Sequence, residues 1–258
     1  GDYSRRVRAT SKDEVGDLAR AFNAMAGELA EVDRMRRDLV ANVSHELRTP
    51  ISALQAVLEN LIDDVEPPDP ATFRTMLKQV ERLGRLVEQL LDLSRLESGT
   101  VPFSPQPFKV KELLEQAVKE SKLNSPNVKI DLDVAPGGLE VEGDPERVHQ
   151  VVANLLENAV RHSPANGQIL VKAHGNSRGV TIELSDEGPG IPESDRARVF
   201  ERFYRSDASR SSSGGAGLGL AIARWIVDLH GGEIRAEQAT PHGCRMVVFL
   251  PSPAVLGR

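Results

Sequence analysis

Ser44-His45-Glu46-Leu47-Arg48-Thr49-Pro50 lies within a long stretch of helical periodicity and sets a nucleophile, an acid/base partner and a helix breaker side by side. Around it, apolar residues recur at heptad spacing: Val15, Leu18, Phe22, Met25, Leu29, Val32, Leu39 and Val43, with Arg36 interrupting the register. The seam runs on through Leu47, Ile51, Leu54, Leu58 and Leu61. Two residues beyond Val43, His45 projects about 200° away from the seam and is expected to face solvent. Arg48 and Thr49 follow at i+3 and i+4, on the face of His45. Pro50 cannot donate to the Glu46 carbonyl and its ring crowds that group, so a bend is expected one turn past the histidine. On their own these residues also fit a surface histidine beside a kink. The segments further along the chain decide between the two.

Working outward, residues 1–12 are polar and basic (Tyr3, Arg5, Arg6, Arg8) and read as a connector. Asp13-Glu14 opens the helix, where carboxylates suit the positive N-terminal end. With few breakers the helix is expected to run from about Asp13 to about Ile62, a length that suits a coiled coil or bundle better than a globular core. Glu66-Pro67-Pro68-Asp69-Pro70 is a turn, with Asp69 as N-cap and Pro70 at the first helical position. A second helix carries Phe73, Met76, Leu77, Val80, Leu83, Val87 and Leu90 and stops near Ser98-Gly99. Two antiparallel helices have too little core to stand alone. Two copies complete a four-helix bundle, so a homodimer is expected.

Pro102, Pro105 and Pro107 mark a domain boundary. Beyond them the pattern turns α/β. Lys109–Ser121, a segment opened by Asp144-Pro145, and Leu218–Leu229 read as helices. Val128–Val134, Gln168–Ala173, Val180–Ser185, Glu233–Ala236 and Cys244–Leu250 read as strands, with the helices expected on one face of the sheet. The fold class is therefore α + α/β: a long-helix coiled coil and helical hairpin, followed by an α/β sandwich.

Composition narrows the function classes. With 258 residues, 27% charged and 40% hydrophobic, the chain is long enough for two modest folded domains. A net charge of −6 and 4% aromatics argue against a nucleic-acid surface. Cys244 is the single cysteine and cannot form an internal disulfide; its flanks Arg245-Met246-Val247-Val248-Phe249 read as a buried strand, which makes it an inert core thiol in a reducing compartment. No run of 18 apolar residues and no signal peptide is visible, and Gly1 in place of Met reads as the start of a fragment.

Three segments carry further chemistry. On the apolar helix after Asp144, Asn154, Asn158 and Arg161 fall at i, i+4 and i+7 and form one polar stripe. Amides are costly to bury unpartnered. The stripe fits a solvated face, or a cation and phosphate site in which amide oxygens suit Mg²⁺ and Arg161 reaches phosphate. Asp186-Glu187-Gly188-Pro189-Gly190-Ile191 follows an alternating strand; a carboxylate there can accept from an exocyclic amine, and the glycines let a flat ring approach the backbone. Gly214-Gly215-Ala216-Gly217-Leu218-Gly219-Leu220 opens a helix and can cradle phosphate with backbone N–H groups. The Ser/Arg-rich stretch Ser206–Ser213 reads as a lid, its start pinned by Phe200 and Phe203, with Arg202 and Arg205 as phosphate contacts. His149, His174, His230 and His242 have no partnered setting and read as surface residues.

Taken together the segments resemble the sensor histidine kinases, in that family's usual order. Ser44–Pro50 resembles the H-box, Asn154–Ser163 the N-box, Asp186–Ile191 the first glycine box, Phe200–Phe203 the F-box and Gly215–Leu220 the second glycine box. Asp13 through Met25 resembles the second half of a HAMP module. Three positions depart from the family's commoner residues: Glu187 in place of Asn, Ala216 in place of Thr or Ser, and Arg161 in place of Lys. Ala216 lacks the hydroxyl that Thr or Ser would offer to phosphate.

The resemblance implies a partial HAMP segment and coiled coil over 1–33, a dimerisation and phosphotransfer domain over 34–101, and an ATP-binding domain over 102–258. It makes His45 the phosphoacceptor, Glu46 its acid/base partner and Thr49 a contributor to dephosphorylation of a response regulator. Asn158 and Asn154 serve Mg²⁺. Arg161 binds phosphate, His162 lines the ribose or base, and Asp186 recognises the adenine amine. Gly188, Gly190, Phe203, Arg205, Gly215, Gly217, Leu218 and Gly219 complete the nucleotide pocket. ATP and Mg²⁺ are the implied cofactors, and a second copy and a response-regulator receiver domain the implied partners. The implied place is the cytoplasmic side of a membrane-anchored sensor. A nucleotide-gated ATPase or clamp of the same superfamily, or a silent dimeric scaffold, is the alternative. Related gyrase- and chaperone-type ATPases carry a glutamate at the Asn154 position to activate water, and Asn154 cannot act as that base.

Overall fold

The first helix, α1, spans Glu14–Ile62 and continues through Pro50. Asp13 caps it by accepting from the Gly16 amide at 3.1 Å, and Glu14 and Asp17 occupy the first turn. The second helix, α2, spans Pro70–Glu97. Asp69 accepts from the Thr72 amide at 2.7 Å, as its place before Pro70 predicts. That amide holds the Asp69 carboxyl below the usual carboxylate range. These features come from a computed structural model that describes residues 5–7, 13–65, 67–97, 103–125, 128–204 and 217–252. Most of the connector, the Ser98-Gly99 stop, Arg205, the Ser206–Ser213 lid, Gly215 and Ala216 lie outside the described residues. Within 5–7, Val7 exchanges two hydrogen bonds with the Asn23 side chain, at 2.9 and 2.8 Å.

The chain divides into two compact units. One holds α1 and α2 up to Leu86, and the other begins at Val87. In the first, Val15, Leu18, Phe22 and Met25 of the α1 seam are exposed, and so are Phe73, Leu77 and Val80 of α2. Among the described residues no helix is long and apolar enough to cross a membrane.

The second unit is a two-layer lobe. Its short strands β1 (Gln106–Lys109) and β3 (Glu140–Gly143) pair antiparallel. The other strands are β2 (Lys129–Ala135), β4 (Gln168–Asn176), β5 (Gly179–Ser185), β6 (Glu233–Gln238) and β7 (Cys244–Pro251). They form a mixed sheet in the order β2-β4-β5-β7-β6, with β2 and β4 parallel and the remaining pairs antiparallel. The register carries one apolar face across the sheet: Val171 lies opposite Leu184, Leu184 opposite Met246, and Met246 opposite Ala236. Helices α3 (Val110–Asn124), α4 (Pro145–His162) and α5 (Gly219–Leu229) cover the sheet, and α4 buries Val148, Val151, Val152, Leu155, Leu156 and Ala159.

The start of α4 is anchored more firmly than the sequence suggests. Asp144 caps the helix by accepting from the Glu146 and Arg147 amides at 3.1 and 3.2 Å, and its second oxygen accepts from the Ser104 amide at 3.1 Å. Its own amide donates to His230 Nε2 at 2.9 Å. His230 is thus buried, against the expectation of a surface residue. Its Nδ1 lies 2.7 Å from the Ile226 carbonyl oxygen, and Phe103 meets the ring edge-on at 4.9 Å. Packing of the α5 end against β3, invisible to local sequence, produces that burial. His174 and His242 are exposed as expected, and His149 faces Glu120 at 3.2 Å.

Candidate functional site: an exposed histidine and a glycine-rich lobe

On α1, Ser44, His45, Arg48 and Thr49 are exposed while Glu46 and Leu47 are half-buried. The periodicity argument placed His45 in solvent, and the structure agrees. The Ser44 hydroxyl donates to the Val40 carbonyl at 2.7 Å and the Thr49 hydroxyl to the His45 carbonyl at 3.3 Å, so both side chains fold back on the helix. Glu46 leans toward α2, where Arg82 Nη2 lies 3.6 Å from its Oε2. Arg82 was not singled out from sequence. An arginine beside Leu83 on an amphipathic helix carries no local sign of its partner across the hairpin.

In the lobe, Asp186 is buried at the end of β5. Its Oδ1 accepts from the Gly188 amide at 2.8 Å and the Cys244 amide at 3.2 Å, and its backbone amide donates to the Cys244 carbonyl at 2.9 Å. Both of these side-chain bonds fall on one carboxylate oxygen. Glycines fit tightly around Asp186. Gly243 has φ +103°, and a Cβ there would lie 1.8 Å from the Asp186 carbonyl oxygen. A Cβ on Gly188 would lie 2.7 Å from the His162 carbonyl oxygen, so the end of α4 and the Asp186 loop are in contact. Gly243 and the Cys244 amide were not read from sequence, because the β5–β7 pairing that brings them to Asp186 joins segments 58 residues apart. Burial pushes the Cys244 thiol up to about 12, the Asp186 carboxylate adding to it, which fits an inert thiol.

Part of the polar stripe of α4 meets the start of α5. Asn154 Nδ2 donates to the Gly219 carbonyl at 3.1 Å, tying this position to the start of α5. Asn158 is half-buried one turn on. Arg161 pairs with Glu157 at 2.5 Å on its own helix. Burial and the Arg161 charge hold the His162 imidazole below its ordinary value of 6.5, against an opposing pull from Asp186.

Past the loop, Phe200 is buried and Phe203 half-buried at φ +61°. The Phe203 amide donates to the Gly217 carbonyl at 3.0 Å. Gly217 has φ +71°, and a Cβ there would lie 2.9 Å from the Tyr204 carbonyl oxygen. Phe203 and Tyr204 therefore meet Gly217. Leu218 is fully buried beneath them, and Gly219 opens α5. The structure thus gathers Asn154, Gly219, His162, Gly188 and Asp186 within one lobe and leaves His45, Glu46 and Thr49 on the hairpin.

Comparison with known proteins agrees with this division. Residues 1–31 match the HAMP domain, residues 35–99 the His Kinase A (phospho-acceptor) domain, and residues 143–254 the family of histidine kinase-, DNA gyrase B- and HSP90-like ATPases. The chain is 37% identical over 254 residues to the signal transduction histidine-protein kinase BaeS of Escherichia coli, covering 97% of this chain and 54% of BaeS. It is 37% identical over 251 residues to the histidine-protein kinase/phosphatase MprB of Mycolicibacterium smegmatis, covering 94% of this chain and 50% of that protein. The chain thus spans about half the length of these relatives. Among solved structures, the Acinetobacter baumannii histidine kinase AdeS superposes with a TM-score of 0.67 at 31% identity, over 81% of this chain and 98% of that one.

Proposed function

This chain belongs to the bacterial two-component sensor histidine kinases, and from that membership we propose that it is an ATP-dependent protein-histidine kinase that phosphorylates its own His45. The phosphoryl group then passes to an aspartate on a response-regulator receiver domain, and Thr49 serves the reverse, phosphatase direction. One observation carries the reading. An exposed imidazole beside a half-buried carboxylate sits on the same chain as a lobe with a buried Asp186 boxed in by glycines.

The chemistry follows from the side chains. Neutral imidazole, with an unperturbed pKa near about 6.5, is a usable nitrogen nucleophile at neutral pH. An imidazole nitrogen of His45 attacks the γ-phosphorus of ATP; the N–P bond forms, the bond to the β–γ bridging oxygen breaks, and ADP leaves. Glu46 takes the imidazole proton. Transfer of this kind rests chiefly on positioning and charge neutralisation. Asp186 receives the adenine amine. His162, kept neutral by burial, lines the ribose or base.

Among the described residues no group of three or more His, Cys, Asp or Glu side chains could hold a metal. Asn158 and Asn154 would hold a Mg²⁺ ion through their amide oxygens, hard ligands of the kind that ion takes. Mg²⁺ supplies charge neutralisation at the phosphates when bound. Arg161 and Arg205 also reach phosphate, and Arg161 must first leave Glu157. The domains we assign are 1–33, 34–101 and 102–258. The working unit is a homodimer, and the parent protein is a membrane-anchored sensor whose cytoplasmic part this is.

Incubation with γ-labelled ATP and Mg²⁺ tests the reading. The expected product is an acid-labile, base-stable label, absent in His45→Gln while that variant still binds nucleotide. Label retained in His45→Gln would overturn the assignment. Phosphate release without protein label would favour an ATPase.

A further inference from the structure

We infer that Arg82 is a positioning residue for Glu46, holding the carboxylate from across the hairpin in the attitude that serves His45; the inference rests on the reading of Glu46 as the acid/base partner. His45 and Glu46 are neighbours on α1, so their side chains leave the helix about 100° apart. His45 points to solvent. Glu46 points toward the groove between α1 and α2, and its side chain is only 15% exposed. A carboxylate placed there needs a cationic or hydrogen-bonding partner to stay charged. Arg82, on α2 and 36 residues away, supplies one at 3.6 Å, with its own side chain 25% exposed.

The geometry divides the labour. Glu46 is fixed to His45 along the chain but has several rotatable bonds with which to turn away. The Arg82 guanidinium is planar, always charged and carried on a different helix, so it restricts that freedom and holds a base ready. It acts from the second helix and need not touch ATP. Its pull also depends on how α1 and α2 are rotated against each other, because donor and acceptor lie on different helices. Any change in hairpin packing therefore reaches the proton acceptor beside His45 without altering the nucleotide lobe. On the histidine's own face, Thr49 instead bonds back along α1 to the His45 carbonyl.

The test separates charge from bulk in the full chain. Arg82→Met keeps most of the aliphatic stem and removes the charge; Arg82→Lys keeps the charge and loses the planar fork. We expect Arg82→Met to lower the rate of His45 labelling about tenfold, a fraction of what a general base contributes, and Arg82→Lys to recover most of it. The dissociation constant for ATP and the dimer content should stay at wild-type values in both, and the thermal midpoint should stay at the wild-type value in Arg82→Lys. A wild-type rate in Arg82→Met would overturn the inference. So would a loss shared equally by the Met and Lys variants and tracked by a falling midpoint, which marks a packing role. Absence of label from the wild-type chain, or label surviving His45→Gln, is the separate result that defeats the underlying reading.

Discussion

Two surfaces of this molecule treat apolar side chains in opposite ways. On the hairpin, Leu77 and Val80 of α2 are 56% and 54% exposed, and Val15 and Leu18 of α1 are more exposed still. In the lobe, Leu155, Ile182 and Ile226 are each 1% exposed. The lobe finishes its core within one chain because five strands and three helices enclose it. The hairpin has two helices, and a stripe at helical spacing remains without cover. Function divides the same way. The lobe buries Asp186 and fixes it with backbone amides, as selective recognition of a small molecule requires. The hairpin leaves His45 exposed to solvent, as the proposed transfer of a phosphoryl group to and from it requires. The lobe encloses its own core, and the hairpin keeps an apolar stripe exposed, which is what the proposed dimer would cover.

The largest effect should come from attacking the uncovered stripe. Leu77→Asp combined with Val80→Asp places two carboxylates where two apolar side chains would be buried, a loss of about 3 kcal/mol or more per protomer from transfer alone. Light scattering should show monomer where the wild type is dimeric, with hairpin helicity reduced. The lobe should keep its melting transition and its affinity for ATP. A double variant that stays dimeric at micromolar concentration would show that this stripe is not the seam.

The same contrast explains how much could be read from the sequence. Heptad spacing around Val15–Val43, Asp69-Pro70 and Asp144-Pro145 announced helices and their caps, because those signals are local. The apolar alternation in Val180–Ser185 and Cys244–Leu250 likewise gave the strands. What escaped is what depends on partners far along the chain. β1 and β3 are four residues each, and β1 contains Pro107, so neither has the length or composition of a strand until the other pairs with it. His230 reads as polar and exposed until β3 and Phe103 close over it. Gly243 looks like any turn glycine until the β5–β7 register brings it to Asp186. The candidate site residues were proposed from patterns within a single helix or loop. Their supports were not.

A single methyl group sharpens the comparison at the next level. Gly243→Ala puts a Cβ at a backbone conformation that L side chains rarely adopt, and against the Asp186 carbonyl oxygen. Strain of this kind costs about 1–3 kcal/mol before the clash is counted. The lobe's melting midpoint should fall by several degrees and ATP affinity should drop, with dimer content unchanged. Equal affinity for ATP in Gly243→Ala would mean that the Asp186 loop does not hold the nucleotide.

The smallest effect is in pH dependence, and it again separates the two units. Burial lowers the His162 imidazole in the folded lobe below its ordinary value of 6.5. The unfolded chain therefore binds a proton at a pH where the folded lobe does not. The sign follows from linkage: above the unfolded value both forms are neutral and stability is unaffected. As pH falls below it, the unfolded state gains protons first and the lobe loses stability, until the folded-state value is passed. Urea midpoints of the lobe should thus decline on going from about pH 7.5 to about pH 5.5, and the decline should be shallower in His162→Gln, which cannot take up the proton. The hairpin transition should show no His162-dependent change over the same range. An identical slope in wild type and His162→Gln would place the imidazole in water, and with that the reading of His162 as part of a desolvated pocket wall would fail.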